Sequence, residues 1–456
     1  MSVILPDEPI DSLDAYLASG GGTGLRTARE FGPDATIEEI TASGLRGRGG
    51  AGFPTGTKWA SVRDAGGGTR YVVVNGAEGE PATFKDRTLM RRDPYRVVEG
   101  AAIAALAVGA RDVYIATKRS FTRERDNLRR AALEMSGAGL LGDLSVSIVE
   151  GPEEYLFGEE KALLEVIEGR DPLPRMLPPW QHGLFATVSM GWEAGSPRVG
   201  GVATANPTVV NNVETLVAAA HILAKGATWY RSMGTPDSPG TIVATVVGDV
   251  RRPGVHEVEL GTPFAELLER CGGPLPGRRF RAALSGVSNP VLTAADFDVP
   301  LAYETFAARG TGLGAAGFVV YDDTTDMVEV AREMSRFLSV ESCGQCPPCK
   351  EGSLSITAHL TRIVANEGSD DDLGELNAWL RTVTDANRCF LGTEEQQVVS
   401  SIMRAFPEDF AAHLEGRVRR VRPALVPLVV DIDDDGNVQY ASRHTRKRPD
   451  WTYDDT

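Results

Sequence analysis

At 456 residues the chain is too long for one ordinary hydrophobic core, and two to four domains are expected. Hydrophobic residues at 42% and charged residues at 24% exclude a disordered or low-complexity chain. Sixty-three acidic residues against forty-seven Lys and Arg, a net charge of −16, exclude nucleic-acid binding, which needs a basic face. The longest apolar run, 101–110, is far short of the roughly 20 residues that cross a bilayer. With no signal-peptide pattern at the start, a soluble, cytoplasmic protein without a direct membrane span is expected.

Residues 1–40 carry two amphipathic helical patterns, at 12–17 and about 36–42, separated by Gly20-Gly21-Gly22. The segment 43–59 is the richest in glycine and contains a formal G-x-G-x-x-G at Gly47, Gly49 and Gly52. A dinucleotide fingerprint follows a strand and opens a helix. Here the preceding segment reads as helix and the strand, 71–75, comes afterwards. Successive glycines nonetheless let backbone N–H groups converge on a phosphate, with Lys58 or the neighbouring arginines adding charge. A flexible surface loop is the plain alternative, but the embedded Arg, Phe, Lys and Trp are unlike a Gly/Ser linker. Strand 71–75 runs into Gly76-Ala-Glu-Gly-Glu-Pro, which puts Glu78 and Glu80 just past a strand's carboxyl end, where ribose hydroxyls are bound. Helices at 97–108 and 122–135 alternate with strands at 112–117 and 145–149. Then come Tyr155-Leu-Phe-Gly-Glu-Glu160 and a helix to 167, so a parallel α/β sheet is predicted. Residues 204–214 read as an extended lead into a helix at 215–224.

From residue 241 a hairpin, a helix over 264–271 and shorter strands to about 320 make a small α+β unit, with Cys271 on the apolar helix face as a core residue. An amphipathic helix at 326–337 leads into Glu341-Ser-Cys-Gly-Gln-Cys-Pro-Pro-Cys-Lys-Glu-Gly352. Three of the five cysteines, Cys343, Cys346 and Cys349, sit here at C-x-x-C-x-x-C spacing. Such a loop plus one more cysteine is a common way to hold a [4Fe–4S] cube. A tetrahedral zinc site is the alternative, although Cys₄ zinc sites usually take two separated pairs. Helical patterns at 353–365, 373–384, 394–405 and 409–416 suggest a bundle. If the first two pack antiparallel, Cys389 returns to the cysteine loop as fourth ligand. A strand pair at 421–440 and a charged tail at 443–456 finish the chain.

In these motifs, and across about residues 40–415 in order, the sequence resembles the flavin-carrying NADH dehydrogenase subunit of respiratory complex I and its relatives in NAD-linked hydrogenases and formate dehydrogenases. The motifs are Gly44 to Gly56, Asn75 to Arg87, Gly158-Glu-Glu160, Val210 to Thr215 and Glu341 to Gly352. The resemblance implies a Rossmann-like FMN and NADH domain (1–240), a β-grasp, ubiquitin-like domain (241–325), a helical bundle holding a [4Fe–4S] cluster (326–420) and a C-terminal extension (421–456). It implies that Gly47, Gly49, Gly50, Gly52, Gly56 and Lys58 hold the FMN phosphate, while Asn75, Glu78, Gly158, Asn211 and Asn212 contact ribityl and ring. NADH would stack on Phe53, with Glu80, Tyr155, Glu159 and Glu160 placing its sugars and amide. Cys343, Cys346, Cys349 and Cys389 would ligate the cluster.

NADH gives up a hydride, a cube accepts one electron at a time, and FMN mediates between them, so no general acid or base is nominated. One chain with one cluster implies partner subunits with further iron–sulfur clusters, and through them a peripheral place on the inner membrane. Two departures mark the nucleotide pocket. Ala77 stands where relatives usually carry Asp, and Leu177 where they usually carry Lys three residues before an aromatic, here Trp180. The segment between Gly183 and Asn211 is also longer than expected. These departures leave open a non-catalytic scaffold that holds iron–sulfur or zinc, beside the diaphorase subunit of a soluble hydrogenase or formate dehydrogenase.

Overall fold

The computed structural model describes residues 3–188, 203–419, 421–424, 426–433 and 435–454, so the long segment after Gly183 lies partly outside the described residues. The chain divides into two compact units. The first comprises residues 1–79, 85–243 and 257–261, and the second residues 80–84, 244–256 and 262–456.

The first unit is built on four parallel strands: β1 (Tyr71–Gly76), β2 (Asp112–Lys118), β3 (Ser145–Gly151) and β4 (Thr208–Asn212). Their order is β3-β2-β1-β4. Val72, Val73 and Val74 are all fully buried, as expected of a parallel sheet covered on both faces, which reads as a continuous apolar run. Burial of each such valine contributes about 1.5–3 kcal/mol. The chain runs β1 to β2 to β3 in one direction and then crosses back to place β4 on the other side of β1. The switch in direction therefore falls between β1 and β4, and it is beside the carboxyl ends at such a point that α/β sheets bind ligands. Register pairs Val74 with Asn211 and Asn75 with Asn212.

Sequence periodicity marks the first three strands, but residues 204–214 divide into strand β4 and a helix starting at Val213. The helix Thr23–Ser43 runs through the region of the second amphipathic pattern and beyond it, interrupted at Gly32 by φ of 77° ahead of Pro33. Helices Thr55–Asp64 and Lys85–Arg92 are not legible in the periodicity. The second is Lys-Asp-Arg-Thr-Leu-Met-Arg-Arg, whose charges hide its apolar face, yet Lys85 through Met90 are buried.

In the second unit a five-stranded sheet has the order β6-β5-β9-β7-β8. The strands are β5 (Thr241–Gly248), β6 (Gly254–Glu259), β7 (Phe280–Ser285), β8 (Leu292–Thr293) and β9 (Gly317–Asp322). Phe264, opening the helix Phe264–Arg270, packs its ring 5.1 Å from Phe297 and 4.7 Å from Phe318. Cys271 closes that helix fully buried, and burial pushes its thiol up to about 12, leaving it unreactive. The helices Met327–Glu341, Pro347–Val364, Asp370–Thr382, Leu391–Ala405 and Pro407–Leu414 follow. An antiparallel pair, β10 (Val429–Ile432) and β11 (Val438–Tyr440), precedes the tail. The tail is fastened by contacts that no sequence pattern announces. Lys447 Nζ lies 2.8 and 2.9 Å from the Glu341 carboxylate, and Trp451 Nε1 donates to Val340 O at 2.9 Å.

Candidate functional site

In the first unit the glycine loop leaves the helix Thr23–Ser43 and enters the helix Thr55–Asp64. Gly47 N donates to Phe53 O (2.8 Å) and Thr55 N to Leu45 O (2.9 Å), closing the loop on itself. Gly50 takes φ of 127°, a conformation L side chains rarely adopt, and a Cβ there would meet open space. Gly49 faces Asn212, whose Cβ would lie 3.3 Å from an added Cβ. Gly56 serves packing instead: a Cβ there would fall 2.1 Å from Thr41 Oγ1 of the preceding helix.

Of the loop's two arginines, Arg48 is not offered to a ligand phosphate, contrary to the expectation from sequence. Arg46 Nε donates to Gly52 O (2.8 Å), and Arg48 is buried, donating to Tyr230 Oη (2.9 Å) and Thr241 O (3.0 Å). Arg48 also lies 3.8 Å from Glu214. Lys85 Nζ joins this knot at 2.8 Å from Asp86 Oδ1, 2.8 Å from Glu214 Oε2 and 3.1 Å from Asn212 Oδ1. Two cations face two carboxylates, so the buried charge is balanced. Burial raises Asp86 to about 6, with Lys85 pulling the other way. Arg48, Lys85, Asp86 and Glu214 all lie inside the motifs, but nothing in the sequence pairs them with one another. The available signal was Lys-Asp-Arg beside apolar residues, because charges rarely enter a core unless paired.

The strand ends are drawn together around the switch point. Asn75 Nδ2 donates to Gly158 O (2.8 Å), tying β1 to the turn after β3. Lys58 Nζ reaches Glu160 Oε2 (2.8 Å) and Val210 O (3.0 Å), and the buried Trp59 donates to Asn211 Oδ1 (2.7 Å). Asn212 Nδ2 donates to Asp86 Oδ2 (2.6 Å). Glu78 receives Arg87 Nε (2.9 Å) and Asp86 N (3.0 Å), which holds the start of the helix Lys85–Arg92. Glu159 caps the helix Glu160–Ile167, accepting from Lys161 N and Ala162 N, both at 2.9 Å. Burial pushes its carboxyl up to about 7 although Lys161 and those N–H groups favour the charged form. Tyr155 opens the short turn Tyr155–Gly158, and Phe53 is half exposed on the glycine loop.

Glu80 falls in the second unit, where its carboxylate accepts from Val287 N (2.8 Å) and Ser288 Oγ (3.2 Å). Ala77 is fully buried with Phe157, Leu163 and Leu164, so its methyl fills core space. Near Leu177, the buried Arg175 is held by Glu165 (2.5 Å) and by the carbonyls of His182 and Gly183 (3.0 Å each). The first-unit residues nonetheless fit FMN. A glycine-rich loop with an exposed aromatic comes with three asparagines at the carboxyl ends of β1 and β4 and with Lys58, which reaches the β4 carbonyl of Val210.

In the second unit Cys346 is the N-cap of the helix Pro347–Val364, and Cys349 lies in its first turn. Cys389 comes two residues before the helix Leu391–Ala405. Arg388 Nη1 donates to Gln345 Oε1 (2.8 Å), which brings the Cys389 loop onto the Cys343–Cys346 loop. Two helix amino termini thus start at the cysteines and favour an anionic centre. Among the described residues no group of three or more His, Cys, Asp or Glu is placed to hold a metal ion. A zinc site needs its sulfurs on one ion, whereas a cube takes each sulfur on its own iron.

Behind the cysteines Glu395 is fully buried, accepting from Ser335 Oγ (2.5 Å), and burial raises its carboxyl to about 8. The folded state thus keeps a proton that the unfolded chain releases above about 4.5. Stability from this group is complete below that pH and is lost as pH rises towards 8, by about 1.4 kcal/mol per pH unit. Glu395→Gln should therefore match the parent in denaturant midpoint at about pH 4 and exceed it at about pH 7.5.

An open parallel sheet with a glycine loop at its switch point, followed in the chain by a four-cysteine helical unit, defines a flavin- and iron–sulfur-dependent oxidoreductase. The profile of the Nuo51 FMN-binding domain matches residues 40–221, the SLBB domain 243–288, and the NADH-ubiquinone oxidoreductase-F iron-sulfur binding region 329–413. The second F-type subunit of NADH-quinone oxidoreductase from Rhizobium meliloti is 39% identical over 427 residues, covering 91% of this chain and 97% of the relative. The alpha subunit of the NAD-reducing hydrogenase HoxS from Cupriavidus necator is 35% identical, covering 94% of this chain and 70% of its own length. The crystal structure of an NAD⁺-reducing [NiFe]-hydrogenase in the air-oxidized state superposes with a TM-score of 0.75 at 33% identity, covering 89% of this chain and 67% of that one.

The chain belongs to the family of F-type subunits of NADH-quinone oxidoreductase. It is an oxidoreductase subunit with FMN and a [4Fe–4S] cluster as cofactors, built to work with other subunits. Among the described residues no helix is long and apolar enough to cross a membrane.

Proposed function

We propose that NADH delivers its hydride at the crevice outside β1 and β4, and that electrons leave through Cys343, Cys346, Cys349 and Cys389 to iron–sulfur subunits of a larger redox complex. The observation that carries this reading is the set of contacts at the switch point, where Gly49 of the glycine loop faces Asn212, Trp59 donates to Asn211 and Asn75 donates to Gly158 O. FMN, when bound, supplies the exchange between a two-electron donor and a one-electron acceptor. The chain's own work is orientation. The N–H groups of Gly47 and Arg48 are given to Phe53 O and Thr215 Oγ1, which fixes the loop, so those from Gly49 to Gly52 would receive the phosphate, Lys58 would add charge, and Asn211 and Asn212 would hold the β4 side. Phe53 offers a face for the nicotinamide, and Tyr155, Glu159 and Glu160 its polar rim. Glu78 acts one step back, fixing Arg87 and the start of its helix. Partner subunits with further clusters, and a peripheral place at a membrane through them, complete the reading.

Purified without oxygen, the protein should show flavin and cluster absorption, and both should bleach on adding NADH. Bound flavin that NADH fails to reduce while dithionite does would refute NADH as the donor. Stoichiometric metal without extractable flavin would mark a scaffold.

A further inference from the structure

Gln345 lies in the cysteine loop with its two amide ends in different company. Its Nε2 donates to Cys343 Sγ at 3.6 Å, and its Oε1 accepts from Arg388 Nη1 at 2.8 Å. A guanidinium can only donate, so it fixes the amide oxygen towards Arg388 and leaves the NH₂ group for the sulfur. Ser342 makes a second polar contact in the same loop, its Oγ 3.5 Å from Cys349 Sγ. Gly344, at φ of 78°, supplies the turn that sets Gln345 beside Cys343. Arg388 is the chain neighbour of Cys389, so one side chain spans the two segments that carry the cysteines.

We infer that Gln345, oriented by Arg388, is a positioning residue that raises the reduction potential of the cluster by donating to the Cys343 sulfur. The inference rests on the reading that Cys343 and Cys389 are cluster ligands. Reduction adds one electron to a centre whose negative charge is shared with its thiolate sulfurs, and a donor to sulfur stabilises the reduced form more than the oxidised form. Arg388 acts through the amide: its charge polarises the carbonyl and sharpens the N–H dipole aimed at the sulfur. Electron exit thereby depends on a contact between two loops rather than on the ligand set alone.

The test is an EPR-monitored redox titration of the anaerobically purified protein, with iron and acid-labile sulfide counted in each sample. Gln345→Met keeps the length and removes the donor. It should keep its cluster and shift the midpoint to more negative values, lowering the ratio of reduced to oxidised cluster at a fixed potential about fivefold, the scale of one modest hydrogen bond to a charged acceptor. Arg388→Met should shift in the same direction, Arg388→Lys should recover most of the shift, and Arg388→Met should add little in the Gln345→Met background. An unchanged midpoint in Gln345→Met with full iron content overturns the inference, as does a full additional shift in the double variant. Loss of the cluster from both Gln345→Met and Gln345→Glu, which keeps a partner for Arg388, also overturns it by making the residue structural. A parent protein without iron and sulfide fails the ligand reading itself, which is a separate result.

Discussion

Cys389→Ala is expected to abolish the iron–sulfur signal while FMN stays bound and NADH-driven reduction of an artificial dye continues. The reason is topological. Cys343, Cys346 and Cys349 come from one loop and the turn after it, whereas Cys389 comes from the loop before the helix Leu391–Ala405. A cube with three protein thiolates has an iron open to solvent and is lost readily. The residues proposed to hold the flavin belong to the first unit, so the hydride step should survive. Turnover with any acceptor reached through the cluster should fall by orders of magnitude, while dye reduction falls less than about threefold. Iron and sulfide counting, visible absorption and the two assays together read this out. A cluster signal equal to the parent's would remove Cys389 from the ligand set.

The second large effect belongs to Glu214→Gln. Glu214 is fully buried, lies 2.8 Å from Lys85 and 3.8 Å from Arg48, and accepts from Val243 N at 2.8 Å. The amide keeps an acceptor oxygen for Val243 but withdraws one of the two negative charges that balance Lys85 and Arg48. Leaving a buried cation short of its partner costs about 3–5 kcal/mol. Because Arg48 anchors the glycine loop and Lys85 holds Asn212, flavin should be lost along with stability. Denaturant midpoint and extractable FMN should both drop. Glu266→Gln at the exposed Arg270–Glu266 pair should stay within about 0.5 kcal/mol of the parent. If Glu214→Gln were as mild as that control, the knot would not be what holds the loop.

The two experiments address the entrance and the exit proposed for the electrons. One removes the exit and spares the entrance, and the other loosens the flavin cradle without touching a thiol. The shift expected for Gln345→Met stands apart from both, since it alters how readily electrons pass while each cofactor remains in place.

What local chemistry fixes is legible in one dimension. Period-two and near-continuous valine runs mark β1 to β3, and the spacing of Cys343, Cys346 and Cys349 marks a metal-binding loop. Glycines at 47, 49, 50 and 52 mark a backbone that can approach a ligand. The order of these motifs, through its resemblance to the complex I flavin subunit, points to the family. Side-chain partners across the fold emerge only when the chain is folded. Arg48 reads as a phosphate-binding cation in a glycine loop, but the folded chain buries it near Glu214, 166 positions later. Glu80 reads as a twin of Glu78, but it accepts from the backbone of Val287. Ala77 reads as a lost carboxylate, but it is a core methyl packed among Phe157 and Leu164. A charged residue's role depends on which opposite charge lies within about 4 Å of it, and no one-dimensional pattern carries that distance. For the same reason Cys389 is a candidate by elimination in the sequence, and only the fold shows the Arg388–Gln345 hydrogen bond that links its loop to the one carrying Cys343 and Cys346.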